Sequence, residues 1–87
     1  MSIDYDGPVP VYRQVAAWIR GRIDDGRYAV DRPIPSKQRI RDELGVSQAT
    51  VERALDVLRG EGRLVTVMGK GLYVAPREQW RQAQSGS

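Results

Sequence analysis

The 87-residue sequence contains neither cysteine nor histidine. Without cysteine, no disulfide or thiolate metal site can supplement the core of so short a chain. Without histidine, the commonest general base and metal ligand are missing. Carboxylates and lysines are present, but nothing spaces them as a metal cage or a catalytic pair. An enzyme is therefore a poor fit, and no cofactor is implied. No apolar run approaches the roughly 20 residues that span a bilayer, and no signal peptide opens the chain. A soluble, cytoplasmic protein with no membrane partner is expected. Internal repeats and low-complexity segments are also missing.

Hydrophobic residues make up 40% of the chain and charged residues 29%, a balance suited to one small globular domain. The net charge is +3, and arginine outnumbers lysine twelve to two. That excess alone does not imply nucleic acid, since a solvated face also carries such charge. Its placement is more telling. Six basic and four acidic residues lie between Arg32 and Gly60, with Lys37, Arg39 and Arg41 at alternating positions, whereas the first ten residues hold only Asp4 and Asp6.

Residues 1–9 read as a flexible arm. Pro10 suits the first position of a helix, and Tyr12, Val15, Ile19 and Ile23 then repeat at helical spacing over 10–25. Trp18 flanks that stripe, and packing is favoured over an interface role. Pro33 and Pro35 allow at most a short edge strand around Arg32–Ile34. Ser36 caps a second helix with Ile40 and Leu44 on its buried side, and Gly45 ends it. Ser47 caps a third helix, with Val51, Ala54, Leu55 and Leu58 on one stripe and Gly60 and Gly62 stopping it. Arg63–Val67 and Leu72–Ala75 read as strands of a hairpin joined by Met-Gly-Lys-Gly. After Pro76 the tail, 77–87, is polar apart from Trp80, with room for a helical turn or two over Arg77–Gln84 and frayed disorder at least as good a reading.

Two short capped helices around a glycine turn form a helix-turn-helix, and the hairpin behind them adds a wing. The fold class is α+β, a small winged helix-turn-helix of three helices and a β-hairpin over residues 10–76. Such a third helix fits the DNA major groove by its N-terminal end. Gln48, Ala49, Glu52, Arg53 and Asp56 face outward. Gln matches adenine, Arg matches guanine, and Glu accepts from the cytosine amino group. On the helix pattern alone, a three-helix packing unit with a solvated outer face is an equal reading. The wing favours DNA: Gly69 and Gly71 let the backbone approach closely and Lys70 supplies charge at the tip.

PVYRQV near residue 10, IPSKQRIRDELGVSQATVERAL and EGRLVTVMGKGLYVAP together resemble the N-terminal DNA-binding domain of GntR-type bacterial transcription regulators. The resemblance runs from about Pro10 to Pro76. It implies double-stranded DNA binding at an inverted-repeat operator by a dimer, usually for repression. By position, the implied contacts fall on Ser36, Gln38, Ser47, Gln48, Ala49, Thr50, Glu52, Gly69 and Lys70, to which the residues themselves add Lys37, Arg39 and Arg53. The family usually has arginine where this chain has Gln48 and Glu52, and in some members at Gln38. Arg39, Arg41 and Arg53 are candidates to compensate. Arg53 has an alternative as a surface ion pair with Glu52 or Asp56, and Glu52 as an orienting partner of Arg53 or Arg59. If Glu52 instead meets a base, the half-site should carry a C·G pair there.

Regulators of this type usually continue into a ligand-sensing, dimer-forming domain, so the chain reads as an excised module or a minimal regulator. Alone it should be monomeric or a weak homodimer that pairs mainly on DNA, with Trp18, Trp80 and the tail as its apolar surfaces. A winged helix that binds protein and has lost specific DNA binding is the competing function.

Overall fold

In a computed structural model, residues 3–80 are described, and the last seven residues of the tail lie outside them. Helix α1 spans Val11–Asp24 and buries Val15, Ala16, Ile19 and Ile23. Pro10 sits just outside it, at the N-cap, because its ψ of 145° is extended. Its carbonyl still accepts from the N–H groups of Arg13 and Gln14 at 3.0 and 3.2 Å. The segment before it is irregular but fastened. Gln14 accepts from the Asp4 N–H at 2.8 Å and donates to the Asp4 and Val9 carbonyls, while the Tyr5 hydroxyl donates to the Gly45 carbonyl at 2.7 Å.

Helix α2, Lys37–Leu44, begins where the Ser36 hydroxyl accepts from the Arg39 N–H at 3.2 Å. It ends at Gly45, whose φ of 69° is the left-handed conformation that costs glycine little. Ile40 is fully buried, and Val46 turns back into the core. Helix α3, Gln48–Gly60, repeats the device: Ser47 Oγ accepts from the Thr50 N–H at 3.2 Å. Val51, Ala54, Leu55 and Leu58 are its buried stripe, packed chiefly on α1. Gly60 belongs to the helix. The chain turns away only at Gly62, with φ of 77°, where a side chain would also collide with the Gln79 carbonyl.

The wing pairs β1, Leu64–Val67, with β2, Gly71–Val74, antiparallel, with Leu64 opposite Val74 and Val67 opposite Gly71. Gly71 is thus in the strand, and the turn is Met68, Gly69 and Lys70, closed by the Lys70 N–H to the Val67 carbonyl at 2.9 Å. Leu64 and Val74 point inward and complete the core. The segment before α2 lies along the other side of β2. Pro33 bridges Tyr73, Ile34 N–H donates to the Leu72 carbonyl, and Val74 N–H donates to the Arg32 carbonyl. Because prolines 33 and 35 carry no N–H, this pairing stays a single bridge. It nonetheless ties the start of α2 to the wing.

Both tryptophans are partly buried against the core. Trp18 is stacked by Arg22, whose Cζ lies 4.0 Å from the ring centroid. Trp80 is held from within the chain: its Nε1–H donates to the Ala75 carbonyl at 2.8 Å, and Arg77 sits 4.6 Å above its ring. Trp80 is therefore a packing residue and not a free apolar surface. Where the sequence leaves room for a helical turn or two over Arg77–Gln84, a 3₁₀ turn forms at Arg77–Gln79, and residues 81–84 lie outside the described residues.

Candidate nucleic-acid interface

The two capping serines fix where α2 and α3 begin, and so set which side chains face outward. Ser36, Lys37, Gln38 and Arg39 are exposed at the start of α2. Ser47, Gln48, Ala49 and Arg53 are exposed on α3, with Thr50 and Glu52 partly covered. Gly69 and Lys70 are exposed at the wing tip. The start of α2, the outer face of α3 and the wing enclose an open cleft of about 650 Å³, lined among others by Ser36, Lys37, Glu52, Arg59 and Lys70. Gln38, Arg39, Gln48, Ala49 and Arg53 lie outside that lining.

Within the cleft the charges are partly spoken for. Glu52 Oε2 accepts from Gln48 Nε2 at 3.1 Å, and Lys37 Nζ lies 3.6 Å from the same oxygen. The Gln48 hydrogen bond, with Lys37 beside it, lowers the pKa of the Glu52 carboxyl. Arg59 is bound to Asp56 at 2.6 Å and donates to the Thr66 hydroxyl at 3.2 Å.

Neither expected partner of Glu52 is therefore the observed one. Among the described residues Arg53 pairs with no carboxylate either; its Cζ lies 3.9 Å from the centroid of Tyr12. The geometry explains this. Arg53 lies on the α1 flank of α3, and Tyr12 offers a ring face there. Tyr12, read from its spacing as core, is only partly buried, and its hydroxyl accepts from Arg13 Nε at 3.3 Å. That hydrogen bond, aided by the charges of Arg13 and Arg53, lowers the phenol pKa.

Sequence reasoning missed Tyr12 and Arg13. The signal was present in their adjacency at the start of α1, but spacing assigned Tyr12 to the core. Met68 was missed too, and it is the most exposed large apolar side chain, 95% accessible at the wing tip. Among the described residues, Arg13, Arg32, Arg39, Arg53, Lys70 and Arg77 have no ion-pair partner within 4.0 Å. Arg41 faces Asp42 at 4.0 Å and is half-buried, so it is the least available of the arginines offered as compensation.

Residues 11–74 match the profile of the bacterial regulatory proteins of the gntR family. The chain belongs to the gntR family. It is 33% identical over 86 residues to the HTH-type transcriptional repressor NagR of Bacillus subtilis, covering 99% of this chain and 35% of that protein. It is 39% identical over 70 residues to the histidine utilization repressor of Pseudomonas putida, covering 80% of this chain and 28% of that one. The chain thus spans about a third of the length of these relatives. Among solved structures it resembles AraR(DBD) in complex with operator ORE1, with a TM-score of 0.72, 34% identity, and coverage of 77% of this chain and 82% of that one. It also resembles YtrA of Sulfolobus acidocaldarius, a GntR-family transcription factor, with a TM-score of 0.76, 29% identity, and coverage of 92% and 71%.

The chain is thus a gntR-family winged helix-turn-helix, like AraR(DBD) and YtrA in fold. Its relatives are regulators and not enzymes. No helix among the described residues is long and apolar enough to cross a membrane.

Proposed function

We propose that the chain recognises an inverted-repeat operator in the bacterial cytoplasm, two copies pairing mainly on the DNA, and that it represses transcription. Helix α3 enters the major groove, presenting Gln48, Ala49, Glu52 and Arg53. Ser36, Lys37, Gln38 and Arg39 at the start of α2, with Ser47 and Thr50, meet one phosphate strand. Gly69 and Lys70 meet the backbone beside the minor groove, and Met68 rests against its sugar wall. Tyr12 and Arg13 add a phosphate contact on the α1 flank of α3. The names of the relatives, two of them repressors, support repression, and the operator complexes of AraR(DBD) support duplex DNA as the partner.

The observation that carries this reading is that Arg39 on α2, Arg53 on α3 and Lys70 at the wing tip each have no carboxylate partner among the described residues. Cations left unpaired on three elements that converge on one helix suit a polyanion. Titration of arbitrary duplex DNA at several salt concentrations tests it. Each neutralised phosphate should steepen the log–log slope by about 0.9, so a steep dependence is expected. A flat dependence would favour the protein-binding alternative.

A further inference from the structure

Glu52 is the carboxylate nearest the N-terminal end of α3, and its hydrogen bond and ion pair are made within the chain. A carboxylate has no proton to give at neutral pH, so only the NH₂ end of Gln48 can face it. The 3.1 Å contact from Gln48 Nε2 to Glu52 Oε2 therefore decides which way the amide is turned. Lys37, 3.6 Å from the same oxygen, anchors the carboxylate from α2. The three residues form a relay from α2 to the exposed end of α3.

Resting on the DNA-binding reading above, we propose that Glu52 is a positioning residue that makes Gln48 a reader of adenine. With one of its two N–H groups committed to Glu52, Gln48 presents one donor and one acceptor to the groove. Adenine offers the complement, an N7 acceptor and an N6 amino donor, and satisfies both. Guanine offers two acceptors, O6 and N7, so the fixed Gln48 Oε1 would face a lone pair. Cytosine and thymine each satisfy one group only. An unrestrained glutamine lacks this discrimination, because its NH₂ can swing round and donate both hydrogens to guanine. Specificity at this base pair thus comes from a residue that does not touch it. This differs from direct reading of cytosine by Glu52, which would place the preference at another base pair.

Selection of bound sites from randomised duplexes, run with the parent chain, Gln48→Ala, Glu52→Ala and Glu52→Gln, tests this. Gln48→Ala marks the base pair that Gln48 reads, as the one whose preference it erases. The parent should favour A over G there by about tenfold or more, in the range of one good bidentate contact. Glu52→Ala should bring that preference to within about threefold at the same base pair. Glu52→Gln should do likewise, because an amide accepts either end of Gln48. The double variant Gln48→Ala with Glu52→Ala should match Gln48→Ala at that pair. Because Glu52 is at the surface, circular dichroism melts should show every variant folded. The proposal is overturned if the Glu52 variants keep the parent's preference, or if they shift a different base pair while leaving the Gln48 position alone. A parent that enriches no sequence and binds independently of salt would overturn the DNA-binding reading itself, a separate result.

Discussion

The two ends of α3 each carry a glutamate that gathers cations, and the two sites differ in every physical respect. Glu61, the C-cap, is 6% exposed. It accepts from Arg20 Nε and Nη2 at 2.9 and 2.6 Å and from Arg63 Nη1 at 2.9 Å. Arg63 reaches on to Asp24 at 3.3 Å, closing a network across the ends of α1 and α3 and the start of β1. A carboxylate is unfavourable at a helix C-terminus, and burial adds a desolvation cost. Two guanidiniums, Arg20 bidentate and Arg63 through one bond, offset both, and hydrogen bonding to Glu61 in turn raises the Arg20 pKa. Glu52, near the other end, is half-exposed and makes single contacts of 3.1 and 3.6 Å. Exposed contacts of this kind add little to stability. The same residue type therefore serves as a joint of the fold where it is buried and as a surface contact that orients Gln48 where a ligand is to arrive.

Glu61→Gln should give the largest effect. Replacing the charge leaves two arginines facing a neutral amide in a largely dry site, and losing one partner of a buried pair costs about 3–5 kcal/mol. Denaturant unfolding should show that loss, whereas Glu52→Gln should barely move the midpoint. Equal effects at the two sites would erase the distinction between joint and latch.

The same contrast explains what was legible in the sequence. Caps and stripes act over three or four residues, so Ser36, Gly45, Ser47 and the Val51–Leu58 stripe could be read from local order alone. The wing followed from alternation and glycine. Pairings between distant residues have no such local mark. Nothing in the order of the chain says that Arg20 meets Glu61, that Arg53 lies over Tyr12, or that Lys37 reaches Glu52. Local rules supplied plausible but wrong partners, such as Arg53 with Asp56 three residues on. The fold was therefore legible nearly throughout, and the outward face of the site was legible as a set of positions. Its internal contacts were not, because they depend on how α1 and α2 pack against α3.

Ser47→Ala sharpens the comparison at the exposed end. The hydroxyl accepts from the Thr50 N–H at 3.2 Å, and losing such a cap costs about 1 kcal/mol. The loss should fray the turn that carries Gln48. Unfolding should show about that loss, and binding to a selected site should weaken along with it. A variant that keeps full stability would mean that Thr50 or water takes over the cap.

Lys70→Ala isolates the wing, where neither glutamate acts. Lys70 makes no ion pair among the described residues, so stability should be unchanged. Binding to all duplexes should weaken evenly, with the salt slope falling by about one as one phosphate contact is lost. An unchanged slope would put the wing off the DNA.

The smallest effect concerns pH, and it probes the exposed site alone. Gln48 first, then Lys37, lower the Glu52 pKa, with Asp56 opposing them from the next turn of α3. A folded value below the unfolded one means that ionised Glu52 favours the folded state at neutral pH. That contribution fades as the pH falls through the folded value, in the acid range of carboxylates. The chain has no histidine, so no side chain with a normal pKa near neutrality changes charge between about pH 6 and pH 8. Melting curves of the parent and Glu52→Gln should therefore keep a small constant offset over that range, with the parent higher, and converge in acid. An offset that widens in acid would reverse the sign and show that Glu52 is strained rather than stabilised by Gln48 and Lys37.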